Sequence, residues 1–345
     1  MKDSPIAGSR REFLKQAGRL AALMCLASAR LFPLRKSSPA KGPDSLPVFR
    51  SRTVSIRRLP EMREWMARLE REGRLSAEPT WRKYIGSFQY NAPATLANAR
   101  SLVIMAVPLK VARIAFRVGG KKRDVLIPCG YVENGHSLDD LQEMLFREGV
   151  VARGYRLERA RLPLKQLAVR SGLAAYGRNN ITYIDDFGSF HQLQAFYTDQ
   201  PLEDHWGKLR LYRLCKGCRI CLDDCPTGAI RPSDFIIDPA KCITLFNEYP
   251  APLPAWIPAS AHNALVGCLR CQLACPGNED LVGETWDLGD VSEAETTALL
   301  AGHPDAKTRQ ALLRKFKRIG GGDDLPFIAR NLKLVLDAPG GPKAL

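Results

Sequence analysis

The amino-acid sequence predicts an α+β fold in three parts: a mixed helix-and-strand domain, a compact cysteine-rich segment and a helical tail. Three observations carry that prediction. Helix-period and strand-type apolar patterns intermix between residues 49 and 205, with a two-glycine hairpin signal among them. Eight of the ten cysteines fall between residues 215 and 275. Beyond residue 286 the recurring patterns are helical, behind Ser or Pro start signals. At 345 residues, 45% hydrophobic and 25% charged, the chain has ordinary globular composition and room for a sizeable core.

Residues 1–29 read as an export leader. SRREFLK at 9–15 pairs Arg10 with Arg11 ahead of Phe13, Leu14 and Lys15, and it resembles the twin-arginine signal at each position. The short apolar run LAALMCLASA follows and ends at Ala27-Ser28-Ala29, a small-x-small cleavage site. That run is about half the ~20 residues needed to cross a bilayer. Residues 30–48 hold four prolines and little apolar periodicity, which describes a tether. The net charge of +15 falls only to about +12 without the leader's five basic and two acidic residues, so the basic character belongs to the rest of the chain. We read it as a solubilising surface, because no basic stretch interleaves with aromatics as a nucleic-acid patch does.

The domain at 49–205 is justified element by element. A helix is expected at about 60–73, with Pro60 at its start and Met62, Trp65, Met66 and Leu69 on one face. SLVIMAV at 101–107 is a buried-strand run, and ARIAFRV and DVLIPCG flank Gly119-Gly120 as a hairpin. Ser137 starts a helix that Gly149 ends, and Pro163 starts another that closes near Gly172 or Gly177. ITYI at 181–184 and FHQLQAFYT at 190–198 read as strands. In the tail at 286–345, Ser292 with Glu295 forms a capping box, a second helix follows Pro304, and a third runs near 325–337. These helices are expected to pack as a cap.

The segment at 206–285 carries the chemistry. Its first run is Cys215, Cys218, Cys221 and Cys225 before Pro226; its second is Cys268, Cys271 and Cys275 before Pro276; Cys242 stands between. Eight is the number that two four-cysteine clusters require. Three thiolates at steps of three can wrap one face of an iron–sulfur cube, while the fourth, on the turn before a fixed-φ proline, points elsewhere. In two-cluster ferredoxins of this pattern that fourth cysteine binds the other cluster. We therefore assign Cys215, Cys218, Cys221 and Cys275 to one 4Fe-4S cluster, and Cys225, Cys242, Cys268 and Cys271 to a second. Separate disulfides are poorly served by cysteines crowded at steps of three, and zinc sites use paired C-x2-C knuckles. Cys25 and Cys129 fall outside the pattern, and His136, His191, His205, His262 and His303 have no ligand spacing.

The stretch LPLKQLAVRSGLAAYGRNNITYIDDFGSFH, followed by CKGCRICLDDCPTGAI, the lone cysteine of DPAKCITLF and GCLRCQLACPGN, resembles the epoxyqueuosine reductase family and its wider kin, the reductive dehalogenases. The resemblance covers about 95–290, and the cysteine order is its most specific part. It implies a nitroreductase-like α/β domain that holds cobalamin, with two clusters feeding electrons to cobalt. Carried over by position, the corrin contacts would be Gly172, Gly177, Arg178 and Asn179 in the G-L-x-x-x-G-R-N segment, and Gly188 and Ser189 in the F-G-S turn. The same glycines also suit a helix end and a strand turn. Two departures stand out. Where the family has its catalytic aspartate the chain reads YRLERARLP, with Glu158 as its carboxylate, and the second run ends CPGN where the family usually has CPWN. The proton donor is left open between Glu158 and a tyrosine such as Tyr176.

Three function classes follow. The first is a corrinoid-dependent reductase, exported to the periplasm and acting on a small molecule, with an electron donor the sequence does not name. The second is a cobalamin-free electron-transfer protein. The third is a cytoplasmic epoxyqueuosine reductase acting on tRNA, which a salt-sensitive basic surface would serve. The sequence reading favours the first.

Overall fold

The computed structural model describes residues 48–133 and 136–338. The leader with Arg10 and Arg11, and all but the end of the tether, lie outside the described residues. Among the described residues no helix is long and apolar enough to cross a membrane.

In chain order the elements are β1 (Arg50–Ser55), α1 (Leu59–Arg71), α2 (Pro79–Gly86), β2 (Ser101–Pro108), β3 (Val111–Val118), β4 (Lys121–Ile127), α3 (Leu138–Arg147), β5 (Leu157–Arg159), α4 (Leu164–Arg170), β6 (Ala175–Tyr176), β7 (Thr182–Tyr183), β8 (His191–Thr198), α5 (Ile220–Asp223), α6 (Ile243–Asn247), α7 (Arg270–Leu273), β9 (Thr285–Val291), α8 (Glu293–Leu300), α9 (Ala306–Phe316) and α10 (Leu325–Asp337).

The apolar run expected at 101–107 is the centre of the first sheet. β2 is buried along almost its whole length, and the sheet runs β1-β2-β8-β5 with every pair antiparallel. Its Leu102, Ile104 and Ala106 join Leu167, Ala168 and Val169 of α4 in one core with Met62 of α1. Each large apolar side chain buried there contributes roughly 1.5–3 kcal/mol. α4 stops at Arg170, and Gly172 behind it is left-handed (φ 78°), so the helix closes at the first of the two expected glycines. Ser137 caps α3 through a reciprocal bond pair with Asp140.

The tail does more than cap. It opens with a strand, β9, that the helix-only expectation omits, and β9 pairs in parallel with β3 in the sheet β4-β3-β9. α8 carries the expected Ser292–Glu295 box, and Phe316 of α9 and Ile328 and Leu332 of α10 close over Ile114 and Phe116. The described part of the tail, through residue 338, thus shares a core with the hairpin at 111–127, and the cysteine segment lies between them in sequence.

Candidate redox site

The two cysteine runs share one local frame. Gly217 and Gly267 are both left-handed (φ 75° and 65°), each directly before a cysteine. That conformation costs most other residues roughly 1–2 kcal/mol and turns the chain sharply into a single helical turn. α5 carries Cys221 and α7 carries Cys271, and the two short helices pack together, with Arg270 paired to Asp224 at 3.3 Å. Cys218, Cys221 and Cys225 therefore correspond to Cys268, Cys271 and Cys275. The second run has Leu265 where the first has Cys215, and Cys242, at the start of α6, supplies the missing thiol from a separate loop.

Cys215, Cys218, Cys221 and Cys275 line one small cavity with Arg178, Asn179 and Tyr183. The Arg178 guanidinium donates to the carbonyls of Cys218 (3.3 Å), Cys215 (3.1 Å) and Pro232 (2.5 Å). Bonds from a charged donor are worth about 1.5–3 kcal/mol each, so Arg178 holds this loop more firmly than a four-residue helix can. Tyr183 stacks on Tyr212 with ring centroids 4.8 Å apart, accepts from Asn179 Nδ2 at 3.0 Å, and hydrogen-bonds the Cys275 sulfur.

Cys225, Cys242, Cys268 and Cys271 form the second group. Cys268 lies within electrostatic reach of both Cys242 and Cys225, and Cys271 of both Cys268 and Cys242. Burial, reinforced by these neighbours, pushes the Cys268 thiol up to about 12 and Cys271 well above its ordinary value. Cys221 in the first group is likewise pushed up to about 12 by burial. Protein atoms crowd closely round Cys268 and Cys271. Lys165 stands beside this group. Surrounding protein lowers its pKa, Nζ donates to Asn180 O (3.0 Å) and Oδ1 (2.8 Å), and its charge reaches Cys242 and Cys271.

Behind the second group stands Tyr131. Its ring is so close to Gly267 that an added Cβ would come within 2.6 Å of Cε2, and its hydroxyl donates to Glu248. Burial raises the pKa of both. Tyr131 also lines a cavity of about 590 Å³ with Cys129, Glu133, His136 and Gln192. Burial pushes the Cys129 thiol up to about 11.

The six residues carried over as corrin contacts have protein partners here. Arg178 and Asn179 line the first thiol cavity. At Gly177 an added Cβ would overlap Asn179 Oδ1 and the Tyr183 ring, and at Gly188 it would overlap Asn278 Oδ1. Asn278, fully buried in the CPGN turn, accepts from Ser189 N (2.8 Å) and donates to Ser189 Oγ (2.8 Å) and Gln272 O (2.8 Å). Gly172 is the helix end described above. These contacts account for the two glycines, Arg178, Asn179 and Ser189 without a corrin. Of the two proton-donor candidates, Glu158 lies on edge strand β5, bound by Thr95 (2.5 Å) and Arg156 (2.8 Å), and Tyr176 is buried against Phe235. Sequence reasoning missed Tyr131 and Glu248, which meet across 117 positions of chain, and Asn263, whose partners Ala261, Cys268 and Leu269 are local. The one available signal was a polar Asn inside the apolar run before Cys268.

A pair of 4Fe-4S clusters fits the donor set. Eight thiols fall into two groups of four, none of the described cysteines is in a disulfide, and the thiols stand around a space in the first group. Among the described residues no three His, Cys, Asp or Glu side chains close on one point as a lone metal ion needs. Thiols held protonated by burial and mutual repulsion lose those protons when metal binds them.

Comparison with known proteins agrees. Residues 214–278 match the family of the 4Fe-4S double cluster binding domain. The chain is 25% identical over 205 residues to the epoxyqueuosine reductase of Bacillus cereus, covering 55% of this chain and 51% of that one. It is 34% identical over 112 residues to that of Leadbetterella byssophila, covering 32% and 35%. The chain spans about half the length of the B. cereus protein. Among solved structures, the epoxyqueuosine reductase of Bacillus subtilis superposes with a TM-score of 0.61 at 20% identity, covering 94% of this chain and 82% of that one. The Streptococcus thermophilus enzyme gives 0.57 at 17%, covering 83% and 76%. A catabolic reductive dehalogenase gives a TM-score of 0.31 at 16% identity, covering 69% and 31%. The chain carries a 4Fe-4S double cluster domain on a mixed α/β fold shared with the epoxyqueuosine reductases.

Proposed function

We propose that this protein is a two-cluster iron–sulfur reductase of the epoxyqueuosine-reductase type, whose reducible substrate enters the cavity beside Tyr131. The observation that carries the reading is the crossing of the two runs: Cys275 of the second run faces the first cavity, and Tyr131 stands between the second thiol group and the larger cavity. The first part of the chain is, in this reading, the nitroreductase-like scaffold that holds the cluster segment. When bound, the clusters supply one electron at a time. The chain's own residues do the rest. Arg178 fixes the first thiol loop, Asn278 ties the second run to the Gly188–Ser189 turn, and Tyr131 packs against Gly267 beside the second group.

The substrate proposed is a modified nucleoside in tRNA. Its support is the name that the relatives carry and a solved epoxyqueuosine reductase with an epoxyqueuosine-modified tRNA stem loop. In this reading the protein works with tRNA in the cytoplasm, in place of the exported small-molecule reductase favoured by the sequence. The exported reading rests on one observation, the SRREFLK leader with its Ala27-Ser28-Ala29 site. The experiment is anaerobic reconstitution of the full chain followed by incubation with an epoxyqueuosine-bearing stem loop and a low-potential donor. About eight irons per chain are expected, and the modified base should lose one oxygen by mass, two electrons and two protons removing it as water. A fully loaded protein that leaves the base intact, together with a mature N-terminus at Arg30 in cells, would move the assignment to the exported reductase.

A further inference from the structure

We infer that electrons run from the first thiol group to the second, and that Asn263 holds this direction by favouring the reduced form of the second cluster. The inference rests on the two-cluster reading and deepens it. Reduction adds negative charge to a cluster, and hydrogen-bond donors aimed at its sulfurs stabilise that charge and raise the potential. The two groups differ in those donors.

In the first group the backbone N–H groups of Arg178 and Gly277 reach Cys215 and Cys275, and Tyr183 is the side-chain donor, on Cys275. In the second, the backbone N–H groups of Arg270 and Thr244 reach Cys268 and Cys242, a matching contribution. Side-chain contacts are added to them: Asn263 on Cys268, the Thr244 hydroxyl on Cys242 and the Thr227 hydroxyl 3.8 Å from Cys225, while Asn179 donates to the Cys271 carbonyl at 3.5 Å. One nearby cation serves each group, Arg178 the first and Lys165 the second, so the cations leave the difference in place. Cys215 and Cys221 are buried while the four thiols of the second group are half-buried, so burial does not penalise added charge more at the second group. The side-chain donors stand at the sulfurs themselves, which is where that charge must be compensated.

Asn263 is the best defined of them. Its Oδ1 accepts from Leu269 N–H at 2.8 Å, and Nδ2 donates to Ala261 O at 2.8 Å and Cys268 Sγ at 3.2 Å. The acceptor bond settles the amide's orientation, because a flipped amide would set its NH2 against the Leu269 N–H. The donor therefore faces sulfur. With the second group behind Tyr131 and the larger cavity beyond, a higher potential there sends electrons toward the cavity. Electrons would enter at the first group, whose loop exposes Lys216 and Arg219.

The test is an EPR-monitored redox titration of the anaerobically reconstituted full chain. Signals are assigned with Cys221→Ala and Cys225→Ala. In the unmodified protein the second cluster should be reduced first, at the higher potential. Asn263→Asp keeps the Leu269 bond but turns a carboxylate oxygen toward Cys268, and it should lower the second cluster's potential while the first stays unmoved. Asn263→Ala, which only removes the donor, should lower it less. Tyr183→Phe should lower the first cluster alone and widen the gap. Earlier reduction of the first cluster in unmodified protein would overturn the inference, as would two loaded clusters whose potentials ignore Asn263. Protein that takes up fewer than two clusters would overturn the two-cluster reading itself.

Discussion

The two cysteine runs begin alike and end in different surroundings. Each has a left-handed glycine, a cysteine, one helical turn and a final Cys-Pro. Around Gly217 the space is open, and the loop it starts is gripped from outside by Arg178. Around Gly267 the Tyr131 ring fills that space, and behind it lie Glu248 and the larger cavity. A repeated local frame thus serves two purposes, one group set near the surface loop and the other set against the cavity. The difference is made by residues outside the repeat.

Substitutions should break this comparison unequally. The largest effect is expected from Asn278→Ala, which leaves the buried Ser189 N–H unsatisfied and removes one bond each from Ser189 Oγ and Gln272 O. At about 1–3 kcal/mol for the orphaned N–H and about 0.5–1.5 kcal/mol for each lost bond, a loss of roughly 3 kcal/mol or more is expected. It should appear as a lower urea midpoint and as early loss of the cluster that uses Cys275. Gly267→Ala comes next. It adds left-handed strain of about 1 kcal/mol to an overlap with Tyr131 that costs about 1–3 kcal/mol, and it should perturb the second cluster's EPR signal. Gly217→Ala should cost only the strain, about 1 kcal/mol, with the first cluster's signal retained. Equal midpoints for the two glycine variants would show that Tyr131 does not press on the second run.

Much of this was legible in the sequence because spacing alone encodes it. The eight cysteines, the β3–β4 hairpin, the caps at Ser137 and Ser292 and the wholly apolar β2 are local patterns, and they stand where those patterns put them. Two of the strands that escaped are polar. RSRTVS of β1 and TWDLGDV of β9 lie at sheet edges, where one face meets water and apolar alternation is weak. The glycine motif was legible as a motif but not in its role. Gly177 and Gly188 are small because Tyr183 and Asn278 occupy the space beside them, which only the fold reveals. Asn263 and Tyr131 act through contacts that no spacing rule anticipates.

The central claim is the crossed ligation, and EPR on three single variants of the reconstituted protein tests it most directly. Cys221 and Cys275 lie 54 positions apart yet line one cavity, while Cys221 and Cys225 belong to the same run. Cys221→Ala and Cys275→Ala should each lose the same signal and keep about four irons, and Cys225→Ala should lose the other. If Cys221→Ala and Cys225→Ala instead remove one and the same signal, each run holds its own cluster and the crossing is wrong.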